Sequence, residues 1–591
     1  MFRFVLYLVS LYKYMKHALS ASLFFVLILS SCKESKPVEE DKTIDIVVSE
    51  KNREMMSRFF DAFIEEHPDY SLNLQIMNDE KTDYYLRHDR LDGEIVILDD
   101  LNYVNENSSR FMKLTTSDYF FRYSRYIQNY LSAADQEMYC LPSPGCFYCY
   151  CVNDDLLSSL NRTFPSDIDE LIDFSSSVSN YVRPLSSYNF ACSEYLDLFL
   201  QLSLGQFFST THGFDLFRDY RFSEDRLYDS DHFDEFVNIL KEYSVVARSE
   251  ERVIREDAFS AFLNQSTCIL SLNMDFDFES KFREKGGTFE YSFHPYLGSS
   301  SGDEVLATSS DFFVSVLKKG YQKSSKRSID DFLDFFASKD GQSYLVMDED
   351  GNRKSNRLSY LKDSDIRLEG KLSGFQKYLD SGNVFILDDF LSSFRISERL
   401  FESFFNGEIG YVSMVNGLDE NMRSYRLIEK HRYVLEQLKS LSLDLSRQRY
   451  ELFSMLYYEL KKKSSIDLMI LPQTFQRLSI YDGVIYEKDV NVIFDSSCSL
   501  VPVYLDGLSL KGFISAFQKE QNHSDYLSFG IVSSGDSFES DQNRIQDDAS
   551  YLIFVPEETW NGNSSALAKV GESVLALDLF SYTFLVQGET K

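Results

Sequence analysis

An α/β architecture is predicted for this 591-residue chain by three observations. Between Thr43 and Asp100, short apolar strands alternate with stretches of helical period, as in a parallel sheet covered by helices. Apolar residues make up 43% of the chain, enough to fill sheet and helix cores. After Asp419 the texture shifts to a long charged helical stretch and then to a second strand-rich region. A chain this long is expected to hold two to four domains of about 100–200 residues each.

The elements justify this in order. Residues 15–32 read MKHALSASLFFVLILSSC, with early basic residues, a short apolar run and Ser30-Ser31-Cys32. The run is short for a bilayer span and fits a secretory core. It resembles a bacterial lipoprotein signal, which implies removal of residues 1–31 and acylation of Cys32. A transmembrane helix over residues 4–29 is the alternative, but Lys13 and Lys16 would then sit in hydrocarbon at about 2.5–3.5 kcal/mol each. Translation starting at Met15 explains the extra length. Residues 32–42 carry charge without periodicity and read as a flexible tether.

TIDIVVSE, from Thr43, reads as a buried strand. One helix follows, with Met55, Met56, Phe59, Phe60, Phe63 and Ile64 on a single stripe that stops before Pro68. YSLNLQIM and GEIVILDD are further strands. Ligands of such sheets sit beyond the carboxyl ends of the strands, which places Ser49, Glu50, Asp99 and Asp100 at a candidate cleft. Four of the eight cysteines cluster in YCLPSPGCFYCYCVN: Cys140, Cys146, Cys149 and Cys151. The spacing invites a metal site or a disulfide. Against a metal, Cys149 and Cys151 share one face of an apolar strand, and no second ligand pair lies near. Cys192, Cys268 and Cys498 read as buried small residues.

The net charge of −33 argues against nucleic acid and against adhesion to anionic lipid, leaving an acyl group as the attachment. No nucleophile elbow, phosphate-binding glycine loop or zinc-binding helix motif is present. GSSSGDE, ending at Glu304, reads as a polar loop.

Several segments resemble, in family order, the sugar-binding type of extracellular solute-binding proteins of ABC importers. Met138-Tyr139-Cys140-Leu141-Pro142 is similar to the family's G-x-x-Y-G-L-P. Tyr150-Cys151-Val152-Asn153-Asp154-Asp155-Leu156 is similar to Y-N-K-D-L-F, and residues 165–171 to P-x-T-W-D-E-L. Residues 261–270 resemble A-F-x-N-G-K-A-A-M, and the helix through Phe332, Phe335, Phe336, Ser338 and Gln342 resembles F-x-x-F-L-T-S-x-x-x-Q. The resemblance spans about residues 43–418. It implies a two-lobed periplasmic-binding-protein fold, a hinged cleft, no cofactor, no catalysis and an ABC permease as partner. The family often stacks sugars on tryptophan, and this chain has only Trp560. Phe147, Tyr148 and Tyr296 are the aromatic candidates in its place, with Glu50, Asp99 and Asp275 as polar candidates.

Residues 419–463 read as a helical linker packed on one side. Residues 464–591 resemble the C-terminal domain of bacterial 5′-nucleotidases. The spacing of Arg477, Gly483, Ile485 and Asp489-Val490, and of Leu500–Val503, Gly507 and Lys511, matches that family. The resemblance implies a smaller α/β domain in which Arg477 is an anion contact. The family's Asn-Gly-Gly is replaced by residues 472–476 and its Pro-Phe-Gly-Asn by Asp495-Ser496-Ser497-Cys498. The metal-binding histidine segments of its catalytic half have no counterpart; His212 is the nearest mimic and lacks partners.

The sequence-based expectation is a lipid-anchored binding protein facing the periplasm or exterior, capturing a sugar- or nucleoside-like solute for an importer. The alternatives are a hydrolase-related protein lacking its catalytic domain and a non-binding scaffold for protein contacts.

Overall fold

The computed structural model describes residues 42–131, 137–188, 255–298, 306–321, 326–347, 356–387, 398–410, 444–464, 466–481, 487–519, 525–534 and 543–557. Short pieces at 304, 354, 412–414, 416–417, 431–433, 537–540, 574–576 and 585–587 complete it. The expected signal with Cys32, most of the tether, Cys192, His212, Gly483, Ile485, Trp560 and most of the 419–443 stretch lie outside the described residues.

The first lobe opens with β1 (Thr43–Val48), α1 (Glu50–Met55), α2 (Ser57–Glu66), β2 (Ser71–Ile76), α3 (Asp79–Arg87), β3 (Ile95–Leu98), α4 (Leu101–Glu106), α5 (Arg125–Tyr130) and β4 (Cys140–Pro142). The chain then crosses to a second lobe containing β5 (Gly145–Asn153), β6 (Arg183–Tyr188), β7 (Thr267–Asn273), β8 (Tyr291–His294) and β9 (Leu306–Ser310). It returns to the first lobe through β10 (Phe313–Val316) and α6 (Lys326–Phe336). A third crossing leads to α7 (Gln376–Ser381) and β11 (Val384–Ile386) in the second lobe.

The first sheet has the order β2-β1-β3-β10-β4, with β1, β2 and β3 parallel and β10 antiparallel to both neighbours. The second has the order β11-β9-β5-β7-β6, with β8 also on β5. The helix expected between β1 and β2 is two helices, interrupted at Met56. Its stripe still packs as read: Met56, Phe59, Phe60 and Phe63 are buried, while Met55 and Ile64 are partly so. Phe59 and Phe63 meet Phe332 of α6 edge-on at 5.4 and 5.2 Å, clamping both helices to the sheet.

Three crossings join the lobes and are stapled to one another. Ser143 Oγ accepts hydrogen bonds from the amides of Asp311 and Phe312, both at 3.0 Å. Gly145 exchanges backbone hydrogen bonds with Leu358 of the third crossing, each 3.0 Å. Arg357 of that crossing pairs with Asp311 of the second at 2.6 Å, and both are largely buried. A Cβ on residue 145 would collide with the Ser309 carbonyl, so this meeting point requires glycine.

The C-terminal unit holds α8 (Leu445–Ser464), β12 (Leu468–Pro472), α9 (Glu487–Ile493), β13 (Ser499–Asp506), α10 (Gly507–Lys519), β14 (Tyr526–Phe529), β15 (Ser550–Pro556) and β16 (Val574–Leu575). Its sheet runs β14-β12-β15-β13-β16. Helix α8, read from sequence as a linker, packs on one side as expected. That side supplies Leu452, Phe453, Leu456 and Leu460 to the same core as Ile466, Met469 and Phe494, so the helix is part of this unit. Among the described residues no helix is long and apolar enough to cross a membrane.

Candidate functional site

The edge of the first lobe that faces the second is fixed by register. Phe313, where β10 enters from the crossing, lies opposite both Leu98 and Pro142. The carboxyl end of β3, and with it that of parallel β1, therefore points toward the crossings. Ser49 and Glu50 follow β1, and Asp99 and Asp100 follow β3, so the sequence-derived residues of this lobe do share one mouth.

Their side chains are already engaged. Glu50 is exposed and closely paired with Arg53 one turn along α1. Asp99 accepts a close hydrogen bond from Asn52 Nδ2 and faces Lys51 Nζ at 3.5 Å. Asp100 caps α4, its Oδ1 accepting from the Asn102 amide at 2.9 Å. A third carboxylate escaped the sequence reading. Asp79, at the start of α3, accepts from the amides of Asp99 and Asp100 at 2.6 and 3.3 Å. Burial, then repulsion from Asp99, pushes its carboxyl up to about 8. The rule that selected Asp99 also selects Asp79, which lies just past the carboxyl end of β2.

The second lobe presents the segment after β7. Asn273 lies opposite Tyr148, and the Met274 amide bonds the Phe147 carbonyl at 2.9 Å, which brings Asp275 and Phe276 back toward the crossings. Asn356 Nδ2 pins this turn by donating to the Met274 and Phe276 carbonyls at 2.8 and 2.9 Å. Asp275 is half-buried. Burial opposes the charge on Arg357, but the carboxylates of Asp311 and Asp275 outweigh it and hold the guanidinium above its ordinary pKa. Beside them the Cys146 thiol donates to Asn273 Oδ1 at 2.9 Å, and burial pushes it up to about 12.

Three aromatic candidates are corrected by the structure. Phe147 is fully buried against Phe375, with ring centres 5.1 Å apart. Tyr148 is buried, and its hydroxyl accepts from Asn273 Nδ2 at 3.3 Å. Tyr296 is fully buried, hydrogen-bonded to Ser271 at 3.0 Å and packed 5.0 Å from Tyr150. For Phe147 and Tyr148 the reason is that β5 is covered on both faces: all nine of its residues are buried, so alternation along it exposes no ring. Tyr296, just past β8, is one of the side chains that cover β5, through its contact with Tyr150. Phe276, half-buried on the turn beside Asp275, packs edge-on against Tyr188 with ring centres 5.2 Å apart.

Cys140, Cys146, Cys149, Cys151 and Cys268 are buried and free of disulfides, whereas Cys498, expected to be buried, is only half so. Among the described residues no group of three or more His, Cys, Asp or Glu is placed to hold a metal. Arg477 pairs with Asp495 at 3.0 Å and is more than half exposed.

No family model and no curated protein matches the chain. Solved structures do. A family 1 extracellular solute-binding protein from Bifidobacterium longum subsp. infantis superposes with a TM-score of 0.51 at 13% identity, covering 65% of this chain and 99% of that one. The apo form of RafE from Streptococcus pneumoniae gives 0.50 at 13% identity, covering 66% and 98%. The fold is the two-lobed periplasmic-binding-protein fold. At such identity the likeness carries the fold alone, and the mouth between the lobes rests on the geometry above.

Proposed function

We propose that this chain is a solute-binding protein that captures a small polar solute, sugar- or nucleoside-like, between its two lobes by reversible closure. The observation that carries the reading is the meeting of two open sheet edges at a three-stranded crossing. Carboxylates and amides at the end of one sheet, and Asp275 with Phe276 at the end of the other, both lie beside that crossing. Glu50, Asp99 and Asp275 supply acceptors for sugar hydroxyls, and Phe276, which already packs on Tyr188 and Phe278, adds only its remaining half-exposed edge as apolar contact. Neighbours in fold are described as extracellular solute-binding proteins, which supports an extracytoplasmic place for this chain. On this reading Cys32 carries its anchor and an ABC permease takes its solute. The C-terminal unit, whose Arg477 is neutralised by Asp495, serves as an accessory unit rather than a nucleotide pocket.

The test is a thermal-shift screen of the full chain with neutral sugars, nucleosides and peptides. A solute at a hundredfold excess over its dissociation constant stabilises the fold by about 2.7 kcal/mol. Asp99→Asn lowers that affinity about tenfold, in line with loss of a charge-assisted hydrogen bond. A screen without a hit sinks the reading. It then favours a non-binding scaffold, toward which the burial of all three aromatic candidates already points.

A further inference from the structure

A separate cavity of about 520 Å³ lies alongside the crossings, bounded by α5 of the first lobe, residues 359–367 of the third crossing and α7 of the second lobe. It shares no residue with the mouth formed by Glu50, Asp99 and Asp275. Its volume falls in the range of small-molecule sites, about 300–1,000 Å³.

The charge of its lining runs against that of the molecule. In a chain of net charge −33, Arg125, Lys362 and Arg367 border this cavity against a single carboxylate, Asp380. Asp380 is already occupied: Arg367 pairs with it at 3.1 Å, and Gln376 Nε2 donates to it at 3.1 Å. Neither Arg125 nor Lys362 has a carboxylate partner among the described residues. Ser124, Ser359, Ser364 and Ser381 also line the space, the Ser359 and Ser381 hydroxyls donating to Gln342 Oε1 and the Tyr378 carbonyl. Two cations without a carboxylate partner among the described residues suit an oxyanion, whose several acceptor oxygens match N–H donors of this kind.

We infer that this cavity is a second solute site, selective for a small organic anion of sugar size bearing a phosphate or carboxylate group, held by Arg125 and Lys362. The inference stands apart from the proposed role of the mouth, since the two places share no side chain. The ligand contacts α5 from one lobe and α7 from the other, so it bridges them.

Titration calorimetry on the full chain tests it, with glucose 6-phosphate, glucuronate, inorganic phosphate and uncharged glucose as probes. The expected result is binding of glucose 6-phosphate or glucuronate, the stronger of the two naming the anion. The Arg125→Ala, Lys362→Ala double variant then weakens that affinity at least about tenfold. Both residues are exposed, so an unchanged melting temperature of the unliganded variant shows that its fold is intact. The inference is overturned if neither organic anion binds at millimolar concentration, or if the double variant binds as the parent does. It is also overturned if Asp99→Asn rather than the double variant abolishes the heat, which would place the anion in the mouth. Failure of the neutral-solute screen leaves all of these outcomes readable.

Discussion

Asp79 shows how one side chain sets the condition of the mouth. Its carboxyl oxygen receives the amides of Asp99 and Asp100, so it shapes the turn on which both candidate residues ride. Its folded pKa, about 8, lies above that of an unfolded aspartate, about 3.9. The native state therefore holds the proton more tightly. The resulting stabilisation is complete below about pH 4 and is lost as pH rises through about 8. Asp79→Asn keeps an amide oxygen for the same two N–H groups and carries no charge. Melting temperatures measured from pH 4 to 9 should fall less steeply in the variant than in the parent above pH 5. Parallel curves would contradict the assignment. Sequence alone locates the carboxyl ends of the strands and so places Glu50 and Asp99 there. It does not reveal Asp79's bonds, because they run to backbone amides twenty residues away. Phe147 and Tyr148 failed for a related reason: coverage of both faces of β5 is a tertiary property that its alternating pattern conceals.

At the level of elements, the strand and helix periods between Thr43 and Leu98 carried through to the fold because each apolar stripe had a single core to face. The break at Met56 did not show in the pattern, since Met56 remains buried and keeps the stripe continuous across it. The crossings were equally hidden, for their staples join residues far apart in sequence. Gly145 is where they meet most tightly. Gly145→Ala should destabilise the protein by about 1–3 kcal/mol, the usual range for overpacking, as read by urea unfolding. If stability is unchanged, the crossings are not packed as described.

For the whole molecule, the decisive contact is between the first lobe and the C-terminal unit. Tyr84 of α3 is fully buried in the C-terminal core, its hydroxyl donating to the Ser479 carbonyl at 2.9 Å. Beside it Arg87 pairs with Asp83 at 3.1 Å and, through both terminal nitrogens, with the buried Asp489. Removing Asp489 leaves Arg87 with Asp83 alone, so Asp489→Ala should cost about 1.5–3 kcal/mol, the range for hydrogen bonds to charged groups. Replacing both, as Arg87→Met with Asp489→Leu, should cost clearly less than the sum of the single changes. Additive losses in equilibrium unfolding would show that the two do not act as a pair. None of this was legible beforehand, because about four hundred residues of chain separate Tyr84 from Ser479.

Helix α3 thus begins at the mouth with Asp79 and ends inside the other unit with Arg87. Nine residues at about 1.5 Å each make a rod of about 13 Å, too short to bend appreciably. A rod anchored at both ends has no freedom to tilt at one end alone. Two regions remote in the chain are thereby made mechanically one body, so a disturbance of the Asp99–Asp100 turn is also a disturbance of the seam around Ser479 and Asp489.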